Sequence, residues 1–389
     1  MAAPAVDAHI IAARRTPLGR IGGLHRARRI EDLAAPVITA VLRDATTSVE
    51  QVDGLIIGAT TVGGNPARLI GLAAGIRDTV PAFTVDRQCA SGLDAILLAV
   101  QDIASGRAGM VVAGGADSVS TSPWRIAKPK NLYQLPHFLS SDPMHDLGAD
   151  ETQNLEALED LARARGIDRD RQDAWTFAAH MRADAAREAR RLVGEIVALR
   201  ATTEEARDES AAAPRLADIA AMTSLLPPDG IVTRGATSVA HDGAAMVLVV
   251  SGARWEALGR PPSLRVTGQA AVGVRPDDEA TAGAAAVARL LEAAGGASGG
   301  NAVGVIEFGE RSAIEAIAFA EATGFDPGTI NLAGGGVVRG HALAATGAVL
   351  VTRLFSEMIR HPANSRRTGL AALGVLGGLG VAAMFAVHQ

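Results

Sequence analysis

The sequence is poor in cysteine and in aromatic residues. Cys89 is the one cysteine among 389 residues, which excludes an internal disulfide and a metal site built from several cysteines. Aromatic residues make up 3% of the chain, too few for the stacking surface that binds single-stranded nucleic acid. The formal net charge is −5, so no broad basic field is available for nucleic acid or an anionic membrane. We therefore expect neither a nucleic-acid partner nor a metal site.

Signals for secretion and for membrane insertion are also scarce. The start, MAAPAVDAHI, lacks the charged-then-apolar order of a signal peptide, and a single cysteine suits a reducing compartment. We therefore expect a cytoplasmic protein without a membrane partner. One nearly uncharged segment, residues 369–387, has the length of a membrane span, but it contains five glycines. Two buried strands around a glycine-rich turn are the favoured interpretation.

Apolar and small residues are abundant. Hydrophobic residues make up 48% of the chain and charged residues 20%, and the 43 glycines suit closely packed structure. Short apolar runs alternate with longer helical patterns, which predicts an α/β fold with a central sheet. Strands are predicted at 8–13, 54–59, 83–85, 110–113, 302–307, 329–332, 369–373 and 381–387. Helices are predicted at 30–43, 93–104, 314–322 and 343–360.

The two ends of the chain follow one plan. Each has a strand, a turn of small residues, a reactive type of residue and an apolar helix, with Cys89 in the first and His341 in the second. Between them lie charged helical stretches that read as an insertion capping one side of the core. The predicted units are a first core half, 1–118 with 236–258, an inserted domain, 119–235, and a second core half, 259–389.

Cys89 is the first candidate for chemistry. It lies between a predicted strand and the start of a predicted helix. A thiol in that place faces free N–H groups and the positive end of the helix dipole, which lower its pKa and favour the thiolate. Ala90, Ser91 and Gly92 keep the approach open for a substrate carbonyl. A lone apolar cysteine is more often an inert core residue, so position alone leaves its role open.

His341 is the second candidate. Gly340 precedes it, and glycines at 334–336 indicate a tight backbone path beside a ligand. Histidine can accept the cysteine proton or donate an N–H to a developing oxyanion. A single histidine is more often structural, and His241, before Asp242 and Gly243, is a weaker alternative.

Residues 86–96, DRQCASGLDAI, resemble the nucleophile motif of the thiolase superfamily. Further blocks resemble that family in the same order, at 15–20, 114–120, 230–238, 242–245, 335–347 and 369–380. The resemblance implies a five-layered αβαβα fold of two similar halves with an inserted loop domain. It also implies a homodimer or homotetramer.

The resemblance further implies acyl-CoA as substrate, with no tightly bound cofactor. Thiolases join two acyl-CoA molecules by Claisen condensation or cleave 3-ketoacyl-CoA with coenzyme A. By resemblance, Cys89 carries the acyl group as a thioester and His341 assists it. Ser238 matches a residue near the pantetheine arm of coenzyme A. The backbone N–H groups of Cys89 and Leu376 match the donors that hold the thioester oxygen.

Two positions depart from the family pattern. Gly374 stands where the family carries a second cysteine that acts as a base. Gly309 stands where the family carries an asparagine that orders a water in an oxyanion hole. Losing a general base lowers a rate by ~10²–10⁴-fold. Losing one oxyanion donor lowers it by ~10²–10³-fold.

Three functional interpretations follow. In the first, another group such as Glu310 or His241 supplies the missing base of a thiolase-type acyltransferase. In the second, acyl-Cys89 passes its acyl group to a different acceptor or to water. In the third, the protein binds acyl-CoA without catalysis. A water or a carboxylate beside Gly374 would favour catalysis, and an apolar side chain there would favour binding alone.

Overall fold

The structure is a computed structural model that describes residues 7–129, 131, 133–139, 151–199, 207–209, 214–295, 303–361 and 367–389. Its strands are β1 (Ala8–Arg15), β2 (Gly19–Arg20), β3 (Gly54–Gly58), β4 (Ala82–Val85), β5 (Met110–Asp117), β6 (Ile126–Ala127), β7 (His137–Phe138), β8 (His241–Ser251), β9 (Ser263–Gly273), β10 (Val305–Phe308), β11 (Thr368–Val375) and β12 (Leu379–His388). Its helices are α1 (Ile30–Asp44), α2 (Pro66–Ala73), α3 (Ser91–Ala104), α4 (Glu151–Arg165), α5 (Arg169–Glu188), α6 (Leu216–Ala220), α7 (Gly252–Ala257), α8 (Ala282–Ala293), α9 (Ala313–Thr323), α10 (Gly336–Arg339) and α11 (Thr346–Phe355).

The central sheet has two halves. Its strand order is β10-β11-β12-β9-β1-β8-β5-β3-β4, and β2 also pairs with β8. Strand β3 runs parallel to β4 and β5, and β10 runs parallel to β11. The halves meet between β1 and β9, where Ile10 pairs with Leu264. The sheet is therefore continuous, and the pairing of Ile10 with Leu264 joins its two halves.

Successive side chains on a strand point to opposite faces of the sheet, so neighbouring residues of one strand belong to different hydrophobic cores. In β5, Val111 and Ala113 pack in one core with α3 and α11, whereas Met110 and Val112 pack in another with α1. Strand β11 alternates in the same way between the α3–α11 core and a core that contains α9. Helices α3 and α11 thus form a middle layer between the two half-sheets, with other helices outside. This is the predicted five-layered αβαβα arrangement.

Glycines allow the middle layer to pack closely. A Cβ atom on Gly92 in α3 would lie 2.6 Å from the carbonyl oxygen of Ala344. A Cβ on Gly347 in α11 would lie 2.6 Å from the backbone nitrogen of Leu93. Only glycine permits these backbone approaches. They bring the start of α3 next to the segment that leads from His341 into α11.

Two strand predictions differ from the structure. Strand β5 does not stop at Gly114 but continues to Asp117, because a Cβ on Gly114 would lie 2.0 Å from the carbonyl oxygen of Ala245, and glycine lets β8 approach. The strand predicted at 329–332 is wrong. That region has a 3₁₀ turn at Pro327–Thr329 and one isolated bridge from Ile330 to β10.

The last predicted helix, 343–360, is three consecutive pieces. A 3₁₀ turn, Leu343–Ala345, precedes α11, and a π-helical turn, Ser356–Arg360, follows it. The segment 369–387 is the predicted pair of strands, β11 and β12, which pair with each other. Among the described residues, no helix has the length and apolarity needed to cross a membrane.

Ion pairs connect the middle segment to the core. Helices α4, α5 and α6 and the β6–β7 hairpin lie between β5 and β8 in the chain. After α5, the fully buried Glu195 pairs with Arg15 of β1 at 2.8 Å and also with Arg353 of α11. Asp208 binds Arg15 as well, 2.5 Å away. These charges join three parts of the chain that are distant in sequence.

Candidate active site

Cys89 lies in a tight turn between β4 and α3. Gln88 before it has a φ of 52°, a left-handed conformation uncommon for a side-chain-bearing residue. Ser91, the first residue of α3, accepts a hydrogen bond from the Arg87 amide at 2.7 Å and donates one to the Gln88 carbonyl at 2.6 Å. The Ser91 hydroxyl therefore stabilises the turn, which places Cys89 just before the helix with 6% of its surface exposed.

His341 is held by its backbone against the chain that enters β8. Gly340 before it has a φ of 91°, and a Cβ there would lie 2.0 Å from Nδ1 of His241. The His341 amide donates to the Val239 carbonyl at 2.9 Å, and the His241 amide donates to the His341 carbonyl at 2.8 Å. The predicted tight path before His341 is thus present, and only glycine fits it.

The fold brings the two candidates into contact. Nε2 of His341 lies 2.9 Å from Sγ of Cys89, although 252 positions separate them in the chain. Nδ1 of His341 lies 3.2 Å from Oγ1 of Thr346, the first residue of α11. When Nδ1 carries the ring proton and donates to Thr346, Nε2 is free to accept the thiol proton of Cys89.

Burial determines the charge of this pair. It raises the pKa of the Cys89 thiol to about 12, and the nearby Arg311 opposes that rise. The sequence expectation of a lowered thiol pKa is therefore wrong in direction, because desolvation outweighs the helix terminus and the arginine. Burial, with the charge of Arg311, lowers the pKa of His341 to about 3. The resting pair is a neutral thiol beside a neutral imidazole.

A carboxylate lies beside Gly374. A Cβ atom on this residue of β11 would lie 3.2 Å from Oε1 of Glu315 and 3.1 Å from the carbonyl oxygen of Glu279. No apolar side chain is among its three nearest neighbours. A carboxylate beside Gly374 is the feature expected of a catalyst, so this contact favours catalysis over binding alone.

Glu315 belongs to a compact ionic cluster. Arg311 Nη1 donates to Glu279 at 2.9 Å, and the Arg311 amide donates to Oε2 of Glu315 at 2.8 Å. Oε2 of Glu279 accepts the Gly377 amide at 3.0 Å, which connects the cluster to the turn after β11. Sequence reasoning missed these three side chains. The available signal was an arginine and a glutamate four residues apart at the start of a helix.

Gly309 is packed against apolar atoms. A Cβ on Gly309 would lie 2.8 Å from Cβ of Leu373 and 3.5 Å from Cγ2 of Thr346. An asparagine there would require Leu373 to move. The position is nevertheless next to the site, since Thr346 contacts His341.

These features can be compared with those of known proteins. A family model described as "Thiolase, N-terminal domain" matches residues 8–253, and "Thiolase, C-terminal domain" matches residues 261–387. The chain belongs to the thiolase family. The resemblance drawn from the sequence motifs is thereby confirmed.

Relatives of this thiolase match along almost the whole chain. An acetyl-CoA acetyltransferase of Pseudomonas aeruginosa is 32% identical, with 97% of this chain and 98% of the relative covered. A putative acetyl-CoA C-acetyltransferase of Bacillus subtilis, YhfS, is 35% identical, covering 98% of this chain and 100% of the relative. The crystal structure of the Bacillus anthracis acetyl-CoA acetyltransferase has a TM-score of 0.90 at 29% identity, covering 99% of each chain. That of human mitochondrial 3-ketoacyl-CoA thiolase has a TM-score of 0.88 at 25% identity, covering 98% of this chain and 99% of the other.

The two bases suggested from the sequence face elsewhere. Oε2 of Glu310 accepts from Nε1 of Trp175 at 3.3 Å, and Oε1 accepts from the Val337 amide at 3.3 Å. Nδ1 of His241 lies 2.7 Å from the Val239 carbonyl, and its buried Nε2 has no hydrogen-bond partner in the described part of this thiolase. Neither side chain occupies the space beside Gly374.

The backbone of Ser238 contacts the ionic cluster directly, and Leu376 is next to Gly377, whose amide binds Glu279. The Ser238 amide donates to the Arg311 carbonyl at 2.8 Å. Its neighbours Thr237 and Val239 line a cavity of about 380 Å³ that also reaches Gly340. Leu376 begins the turn from β11 to β12. No group of three or more His, Cys, Asp or Glu side chains suited to a metal occurs among the residues that the structure describes.

Proposed function

We propose that this thiolase is an acyl-CoA acyltransferase that carries the acyl group as a thioester on Cys89. The observation that carries the proposal is the 2.9 Å contact between Sγ of Cys89 and Nε2 of His341 at the start of α3. A protein that only binds acyl-CoA needs no such pair. Relatives that match almost the whole chain are named acetyl-CoA acetyltransferases, which supports the same activity.

In the first step, Cys89 attacks the thioester carbonyl carbon of acyl-CoA. Its proton passes to Nε2 of His341 as the sulfur–carbon bond forms, so a neutral thiol with a high pKa can still react. The bond between that carbon and the sulfur of coenzyme A breaks, and His341 returns the proton to the departing sulfur. We assign the developing oxyanion to the backbone N–H groups of Cys89 and Leu376.

Acyl-CoA is the substrate in this scheme, and we assign its coenzyme A portion to the cavity beside Ser238. Arg20 and Arg234 line that cavity, and guanidinium groups pair well with phosphates. Gly340 lies at the same cavity and precedes His341 in the chain. A pantetheine arm passing Ser238 would therefore lead toward Cys89.

We further propose that residues 119–235 form the inserted loop domain. We also propose that the chain forms a homodimer or homotetramer in the cytoplasm. Exposed aromatic side chains around the β6–β7 hairpin support an interface: Trp124 is 84% exposed and Tyr133 is 97% exposed. Light scattering after size-exclusion chromatography tests the assembly, and a monomer at micromolar concentration would contradict it.

Mass spectrometry of the intact protein tests the acyl intermediate. After mixing with acetyl-CoA or a longer acyl-CoA, the wild type should gain the mass of one acyl group. Cys89→Ser should gain none, because no other cysteine is present to carry a thioester. Glu321→Gln, at an exposed ion pair on α9, is the matched control and should label like wild type. Absence of labelling in the wild type at every acyl length would reject the proposal.

A further inference from the structure

We propose that Glu315 is the proton acceptor and donor for the α-carbon of the substrate in the carbon–carbon bond step. This inference rests on the proposed acyl transfer through Cys89 and adds a residue to its second half. The carboxylates around Cys89 are the candidate bases, because a carboxylate can take a proton from a carbon next to a thioester.

Glu315 is buried and lies where a base is needed. Its Oε1 atom is 3.2 Å from the position of a Cβ on Gly374, two residues before the turn that begins at Leu376. The side chain has no exposed surface. Its charge is close enough to raise the pKa of the Cys89 thiol. Glu315 therefore shares one electrostatic environment with the nucleophile.

The two carboxylate oxygens of Glu315 are bonded unequally. Oε2 accepts from the Arg311 amide at 2.8 Å and from its Nε at 3.4 Å. Oε1 has a single long contact, 3.4 Å from Nη2 of the same arginine. An ionised carboxylate oxygen has two acceptor sites, so Oε1 keeps capacity for a proton. The oxygen with spare capacity is the one that faces Gly374.

The backbone around Glu315 is well supported. Oγ of Ser312 accepts the Glu315 amide at 3.1 Å and caps α9. Burial raises the pKa of Glu315, and the charge of Arg311 opposes that rise. Glu315 is therefore a stronger base than an exposed glutamate, while Arg311 favours its ionised form.

Other carboxylates near the site hold closer hydrogen bonds on both of their oxygens. Asp117, which also raises the pKa of Cys89, accepts the amides and hydroxyls of Thr60 and Thr61 and the Ala344 amide, all within 3.0 Å. Glu279 binds Arg311 through one oxygen and the Gly377 amide through the other. Of these three carboxylates, Glu315 is the one with an oxygen, Oε1, whose hydrogen bond is as long as 3.4 Å.

In condensation, Oε1 of Glu315 takes one proton from the methyl group of a second acetyl-CoA. The electron pair left on that carbon attacks the carbonyl carbon of acyl-Cys89, and a carbon–carbon bond forms. The carbon–sulfur bond to Cys89 then breaks, and the proton on Glu315 passes to the thiolate. Cleavage of a 3-ketoacyl-CoA follows the same steps in reverse, with Glu315 protonating the carbanion that leaves.

Glu315→Gln tests the inference because it keeps the size of the side chain and removes the base. Cleavage of acetoacetyl-CoA in the presence of coenzyme A should fall by ~10²–10⁴-fold. Acylation of Cys89 by acetyl-CoA should stay near the wild-type rate, since it uses Cys89 and His341. Glu321→Gln on the same helix is the control and should keep both activities. Equal rates of cleavage in wild type and Glu315→Gln would overturn the inference and leave acyl transfer intact.

A second measurement covers the case in which Glu315→Gln does not fold. Wild-type protein acylated on Cys89 and placed in deuterated water should introduce deuterium into the methyl group of acetyl-CoA. Acylation without such exchange would overturn the role of Glu315. The double substitution Gly374→Cys with Glu315→Ala should recover part of the cleavage that Glu315→Ala alone loses, because the freed space can hold a thiol. Absence of acylation in the wild type would instead reject the proposed function itself.

Discussion

At the scale of single residues, burial sets the chemistry of the site. Cys89 and His341 have 6% and 7% of their surfaces exposed, and burial opposes the charged form of each. Moving the proton from sulfur to imidazole before the attack would create two buried charges. Proton transfer during the attack avoids a free thiolate, because the sulfur electron pair forms the bond to the acyl carbon and the negative charge develops on the carbonyl oxygen.

The raised pKa of Cys89 predicts slow alkylation of the native protein. Iodoacetamide reacts with the thiolate, so its rate on native protein should be low at about pH 7 and still rise at about pH 10. The urea-unfolded protein, with the same single cysteine, should reach half of its maximal rate at about pH 8.5 and level off at about pH 10. Mass spectrometry of the alkylated chain gives both rates. A plateau of the native rate below about pH 8 would show a stable thiolate and contradict the neutral pair.

Removal of the imidazole should slow acylation. His341→Ala deletes the group that takes the thiol proton, and we expect acylation by acetyl-CoA to fall by ~10²-fold or more. Thr346→Val is the matched control, because it removes only the hydroxyl 3.2 Å from Nδ1 and should have a smaller effect. Rapid-quench mass spectrometry measures both rates. An unchanged rate in His341→Ala would remove His341 from the mechanism.

At the scale of secondary-structure elements, contact between α3 and α11 aligns the two reacting groups. Cys89 precedes α3, and His341 reaches α11 through the short turn at Leu343–Ala345. The contact depends on Gly92 in α3 and Gly347 in α11, because a side chain at either position would collide with backbone atoms of the other segment. A shift of one helix would change the distance between Sγ and Nε2 directly.

Gly347→Ala should therefore reduce both stability and activity. The added Cβ would lie 2.6 Å from the nitrogen of Leu93 and 3.1 Å from its Cα, and backbone atoms cannot rotate away. We expect a loss of about 1–3 kcal/mol in the free energy of unfolding, with slower acylation of Cys89. Urea titration measures the first and mass spectrometry the second. Gly273→Ala is the control, because a Cβ there has no neighbour within 4 Å. Equal losses in the two variants would contradict the role of this contact.

At the scale of the whole molecule, buried ion pairs hold the middle segment on the core. Glu195 pairs with Arg15 of β1 and Arg353 of α11, and Arg353 also pairs with Glu357. All four side chains are fully buried. Such pairs contribute little net stability compared with apolar packing, but removing one partner leaves a buried charge uncompensated. The network therefore favours this one arrangement of β1, α11 and the segment after α5.

Glu195→Gln should destabilise the protein by about 3–5 kcal/mol near neutral pH. Burial opposes ionisation, but Arg353 and Arg15 outweigh it and lower the pKa of Glu195 to about 2. A lowered folded-state pKa contributes stability above the unfolded pKa of about 4.3, and that stability is lost as pH falls toward the folded value. The difference between wild type and variant should thus be constant above about pH 5 and shrink below about pH 4.

Urea unfolding at three pH values between neutral and acid measures this difference. Glu256→Gln is the control, because its pair with Arg260 is 57% exposed on the glutamate side. Its effect should stay below about 1 kcal/mol at every pH. A loss in Glu195→Gln that did not change with pH would contradict the assigned pKa direction.

The fold was largely predictable because its signals are local. Short apolar runs identify strands such as β1 and β3, and helical spacing identifies α1 and α3 within a few residues of their ends, whereas β8 and β9 were not predicted. The prediction failed where close approach between segments decides the structure. Glycine at 114 reads as a strand end in the sequence but lets β8 approach in the fold. Residues 329–332 are apolar enough for a strand, yet only Ile330 bridges to β10.

The sequence by itself determined the layered α/β architecture, the family, and the choice of Cys89 and His341 as candidates, because periodicity, glycine-rich turns and ordered motifs are written in neighbouring residues. Only the tertiary structure decided the charge of Cys89 and the group beside Gly374. Burial depends on segments far apart in the chain, and it overrides the effect of a helix terminus on the thiol. Glu315 and Glu279 lie beside Gly374, with Arg311 bonded to both, only when α9, the 3₁₀ turn at Pro276–Thr281 and β11 pack together. No local pattern in the sequence encodes that meeting.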